Sequence, residues 1–176
     1  IMALTDLAGR TTQSKLNSMA VDLIDVTLTT TAGTHGNDTV VSQAIEIPNA
    51  VAVTGGTAII QSIYLQNTDN DVESPALELI FAAENTTLAS GGIGTAPDAG
   101  DAGMVTATIQ GSTTVTSWSD LKPTSNEFGV KTNIGLVVRA ESDSRSIFVT
   151  TINRSGANFT PTDTDGLTAR IGIVKD

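Results

Sequence analysis

The sequence predicts an all-β fold, an antiparallel two-sheet β-sandwich. Apolar residues recur at every second position in runs separated by short polar turns, which is the period of a half-buried strand. Threonine is abundant, with 28 Thr beside 14 Ser in 176 residues, and its β-branched side chain favours strands. No segment carries a helical period beyond one or two turns, and regular short strands with turn signals point to a sandwich or a barrel.

The clearest runs lie toward the C-terminus. In 133–140, Ile134, Leu136 and Val138 share one face. In 146–153, Ile147, Val149 and Thr151 alternate with Phe148, Thr150 and Ile152. In 166–174, Leu167, Ala169, Ile171 and Ile173 share a face. Upstream, the pattern begins near Val21 and predicts strands over 26–31 and 40–47, the latter ended by Pro48 and Asn49, since proline cannot donate to a central ladder. After the Gly55–Gly56 turn, 57–67 is apolar on both faces, which predicts a central strand. Pro75 opens a strand carrying Leu77, Leu79 and Phe81, and further strands are expected over 104–109 and 112–118. Residues 89–103 read as a long loop of Gly, Ala, Pro and Asp. Loops beyond about 12–15 residues are uncommon unless functional or flexible. Residues 1–20 read as an N-terminal arm, and 21–176 as a single sandwich domain.

Composition excludes several functions. The net charge is −10 and the isoelectric point about 4.3. The nine basic residues are scattered, whereas a phosphate-backbone binder clusters them, so no nucleic-acid partner is expected. Repulsion disfavours an anionic membrane, and no apolar run approaches the roughly 20 residues that span a bilayer. No charged-then-apolar leader opens the chain. Charged residues are 16%, against about 25% in an average domain. That depletion fits an interface-bearing surface as well as it fits a plain Thr-rich sheet.

No catalytic constellation is legible. The single histidine, His35, sits in a Gly-rich stretch and reads as a solvated loop residue, with nothing to complete a nucleophile triad. With one His and no Cys, transition-metal sites are nearly excluded. Asp69, Asp71 and Glu73 alternate as oxygen ligands would. The calcium-loop pattern needs Gly and Glu where Ser74 and Ile80 stand, so a polar turn is the reading there. Asp98 with Asp101 and Asp163 with Asp165 are ordinary turn acids. Aromatic residues are too sparse, at 3%, to line a sugar cleft. No cofactor and no enzymatic activity are expected.

Three segments together, GGTAIIQSIYLQNTDND (55–71), ALELIFAAENTTLA (76–89) and KTNIGLVVRAESDSRSIFVTTINRSGANFTPTDTDGLTARIGIVKD (131–176), resemble a family of small virion proteins of tailed bacteriophages, similar to capsid decoration or cement proteins of jelly-roll type. The resemblance covers about half of the chain and lies in strand order and turn placement. It implies a jelly-roll-like sandwich on the outside of a capsid, built in the host cytoplasm, with the major capsid protein as partner and the chain itself as a homo-oligomer, commonly a trimer. The expected contact residues are Leu4, Leu7, Leu16 and Met19 of the arm, and Ile93 and Pro97 of the loop. The alternative is a head-fibre, tail or adhesin module that binds host-surface glycan, with Trp118 or the Asp69–Glu73 turn as its only candidates.

Overall fold

The computed structural model describes residues 21–68, 73–98, 108–122 and 126–175. Nine strands run through them: β1 (Val21–Thr27), β2 (Val40–Ile47), β3 (Thr57–Asn67), β4 (Leu77–Ala82), β5 (Ile109–Val115), β6 (Trp118–Lys122), β7 (Asn126–Arg139), β8 (Ile147–Asn153) and β9 (Leu167–Lys175). No helix occurs among the described residues. The strands form a five-stranded sheet, β1-β9-β3-β7-β6, and a four-stranded sheet, β2-β8-β4-β5, with every pairing antiparallel. The two-sheet antiparallel sandwich is therefore the fold. Only β4–β5 and β6–β7 are neighbours both in sequence and in space. Every other connection carries the chain from one sheet to the other.

The core lies between the sheets. Ile60, Ile63, Leu65, Val138, Leu167, Ala169, Ile171 and Ile173 of the larger sheet meet Ile47, Leu77, Leu79, Phe81, Val115, Ile147 and Val149 of the smaller. These are the inward members of the alternating runs, and burying them is the main drive to fold. β3 is the middle strand of its sheet, as its two apolar faces predict. At one end Gln110 bridges the sheets: its amide nitrogen donates to the Arg139 carbonyl (2.6 Å) and its oxygen accepts from the Arg139 N–H (2.7 Å).

Several strands differ from their predicted bounds. The first strand spans Val21–Thr27 rather than 26–31: past Thr27, Leu28 and Thr30 still bond Leu167 and Thr164, but β9 begins at Leu167 and offers no further strand to pair with. The run predicted over 112–118 is two strands, since the chain crosses between sheets after Val115 and Trp118 opens β6. Of the run 104–109, residues 104–107 lie outside the described residues, and Ile109 begins β5. β7 starts at Asn126, well before 133. Asn133 (φ 56°) and Gly135 (φ 68°) form a bulge in it, opposite the shift from Ile60 to Ser62 on β3.

The outer faces of the two sheets are unlike. Residues 83–98 fold back over the four-stranded sheet, where Ala89 packs with Val40, Ile152 and Ile80 in a second small core. Val40 N–H donates to Thr95 and Gly94 N–H to the Val40 carbonyl (2.9 and 2.7 Å). The Ala89 N–H donates to Gln43 Oε1 (3.1 Å). Nothing among the described residues covers the five-stranded sheet in this way.

Candidate interaction face

Directly paired residues on neighbouring strands share a face, so the register gives the make-up of the uncovered surface. One row runs Val21, Val174, Ile59, Val137 across β1, β9, β3 and β7. The next is Leu23, Gly172, Ser62, Thr132. Then come Asp25, Arg170, Tyr64, Val130, and last Thr27, Thr168, Gln66, Phe128. Leu23 is 63% exposed, Val137 60%, Val21 51% and Val130 41%. Together with Leu121 on the edge strand β6 and Val53 in a turn, these make up all the exposed large hydrophobic residues among the described ones. Exposed apolar residues are unremarkable singly; their collection on one sheet face is informative.

Local chemistry shapes this face. Gly172 leaves room for the Ser62 hydroxyl and for Val21 and Leu23 to lean inward. A Cβ there would stand 2.3 Å from Ser62 Oγ and 3.4 Å from Val21 Cγ1. Tyr64 and Phe128 stack with centroids 5.5 Å apart. Arg170 grips Asp25 with two hydrogen bonds, at 2.6 and 3.0 Å. Hydrogen bonding from Arg170 holds the Asp25 carboxyl below its ordinary value, and Asp25 raises the guanidinium in return. Beside this pair lies an open, shallow depression of about 540 Å³, lined by Asp25, Tyr64, Gln66, Thr168 and Arg170 among others. A carboxylate so stabilised is a weak base.

The residues singled out from the sequence lie elsewhere. Leu4, Leu7, Leu16 and Met19 are outside the described residues. Ile93 and Pro97 are half-buried in the segment over the four-stranded sheet, on the side opposite the apolar face. His35 is buried, at 2% exposure, and not solvated. It pairs with Phe159 through backbone bonds of 2.8 and 2.9 Å, and its Nε2–H donates to the Thr31 carbonyl (2.8 Å). The backbone pair ties the β1–β2 connection to the β8–β9 connection, and the ring bond closes the β1–β2 connection on itself.

The candidate glycan and calcium residues turn out to be structural where they are described. Asp69 and Asp71 fall outside the described residues, while the Glu73 carboxylate accepts the Thr160 N–H at 2.6 Å. The neighbouring Ser74 donates its N–H and hydroxyl to Glu127 (2.9 and 3.0 Å). The Trp118 indole N–H donates to the Pro75 carbonyl (2.5 Å), and the ring packs on the core rather than standing free as a sugar platform. Residues 73–75 thus anchor the β3–β4 connection at three points. No three His, Asp or Glu side chains gather as metal ligands among the described residues.

A second charged group lies on the outer side of the smaller sheet. Arg154 donates to Glu78 (2.8 Å) and Asp38 (2.5 Å), and Ser112 donates to Glu78 (2.6 Å). Burial pushes the Glu78 carboxyl up, but the hydrogen bonds from Ser112 and Arg154 prevail and hold it below its ordinary value. A carboxyl depressed in the folded state stabilises the fold above its unfolded pKa, and that contribution disappears as pH falls through the lower folded value. Glu78→Gln is therefore expected to lower Tm at pH 7, and the gap to the wild type should narrow as pH drops below about 4. Thermal melts of both proteins across pH 3–7 measure this, and a gap constant with pH would contradict it.

No protein-family model matches the chain, and no curated protein matches it. The functional reading therefore rests on the residues and the geometry.

Proposed function

We propose that this chain is a non-enzymatic virion protein that attaches to the outside of an assembled phage capsid and stabilises it, with the major capsid protein as its partner. The observation that carries this reading is the strand order. β1, β9, β3 and β7 facing β2, β8, β4 and β5 is the arrangement expected of an eight-stranded jelly roll, an architecture used by capsid proteins, with β6 added at one edge. It agrees with the jelly-roll type that the sequence resemblance implies.

The physics supports the same reading. A protein of net charge −10 suits the exterior of a particle better than a DNA-filled interior. A protein that binds the assembled shell and not its dissociated subunits stabilises assembly by mass action. Repetition over many equivalent sites makes modest individual contacts sufficient. Capsids heated with and without the protein test the proposal. Those lacking it are expected to release their DNA at a lower temperature, and identical release curves would overturn the reading.

A further inference from the structure

We infer that the outer face of the five-stranded sheet is buried against another copy of this chain. Self-association as such is also what the resemblance implies; the structure adds the face through which the copies meet, and the test below reads that face in the isolated protein without any capsid. Three observations favour a second copy as the occupant. The first is extent. Five strands spaced about 4.8 Å apart, rising about 3.4 Å per residue over the length of β1, make a face of roughly 600 Å². Two copies packed face to face would bury about 1,200 Å² in total, where specific, stable interfaces begin. Aligned packing of twisted sheets is also the ordinary way for such faces to leave water.

The second observation is charge. The chain carries −10 overall, which would push copies apart at most surfaces. On this face the central charges are Asp25 and Arg170, bound to each other. Val21, Leu23, Ile59, Val130, Val137 and Val174 surround them without charge. Arg139, paired with Thr57 beyond Val137, adds one positive charge at the margin. The face thus lacks the acidic excess of the whole molecule, and identical copies can meet there without the repulsion that opposes them elsewhere.

The third is the contrast between the sheets. The chain covers the outer face of the four-stranded sheet with its own residues 83–98, and the exposed aliphatics gather on the other.

The test is the mass of the full-length chain in solution, by sedimentation or light scattering over a dilution series. The expected wild-type result is a multiple of 18.1 kDa. Val137→Lys and Leu23→Lys are each expected to weaken self-association about 30-fold or more, as charges introduced near the centre of an interface do, with circular dichroism unchanged. Val53→Lys, equally exposed at 63% but outside the face, should leave the mass as in the wild type. A wild-type monomer at every concentration would overturn the inference, whether the face then proves to hold a glycan or a different protein. So would an oligomer that survives both face substitutions.

Discussion

Phe81→Ala is expected to cost about 3–5 kcal/mol of folding stability, the largest effect of any single substitution proposed for this chain. Phe81 is fully buried on β4, where it is paired with Val149 on β8 and Gly111 on β5. Its ring fills the layer between the sheets, among Leu77, Leu79, Ile147 and Val149. Truncation removes the transfer energy of the ring and leaves a cavity that a sheet held by ladders on both sides cannot close. A domain of this size has about 5–15 kcal/mol in total, so the variant should survive only as a marginal fold. Urea unfolding followed by circular dichroism measures it, with a lower midpoint at unchanged m-value as the expected result. A loss below about 1 kcal/mol would mean the site is not packed as described.

Glu127→Ala is expected to cost about 2–4 kcal/mol by a different route. Glu127 is fully buried, and its carboxylate accepts from Asn67 Nδ2 (3.2 Å), the Ser74 N–H (2.9 Å) and the Ser74 hydroxyl (3.0 Å). Removing it deprives these donors of their acceptor and releases the β3–β4 connection from β7. Glu127→Gln keeps the shape and one carbonyl acceptor, so it should fall between wild type and alanine. The same urea experiment gives the ranking. An alanine variant as stable as the glutamine one would show that the donors find other partners.

These two residues mark what a single sequence can and cannot reveal about this fold. Phe81 lies in an alternating run with Leu77 and Leu79, so its strand and inward direction were readable from period alone. Glu127 was not readable. From Asn126 to Lys131 the usual rule is inverted: Glu127 and Gly129 are buried, while Phe128 and Val130 lie on the outer face. Gly129 is there because Val115 and Trp118 approach it, and a Cβ would come within 2.7 Å of Val115 Cγ1. A reader who assigns apolar residues to the core therefore misses the first half of β7.

The candidate face was hidden for a related reason. Its members come from β1, β3, β7 and β9, strands scattered from residue 21 to residue 175. Only long-range pairing brings them side by side, and pairing is not encoded in local pattern. His35 shows the same limit, because its Gly-rich neighbourhood reads as solvent-facing until Phe159 folds onto it. Conversely, β2, β3 and β8 were legible, because turn residues bound them and their apolar runs are long.

β9 sits between β1 and β3 and pairs with both along nearly its whole length. It is also the last of the nine strands to be synthesised. On the ribosome, the larger sheet must therefore wait with a slot in its middle until β9 (Leu167–Lys175) has emerged. Closure of so distant a ladder is slow compared with local hairpins. During that wait the unpaired backbone margins of β1 and β3 are open to strands from neighbouring nascent chains.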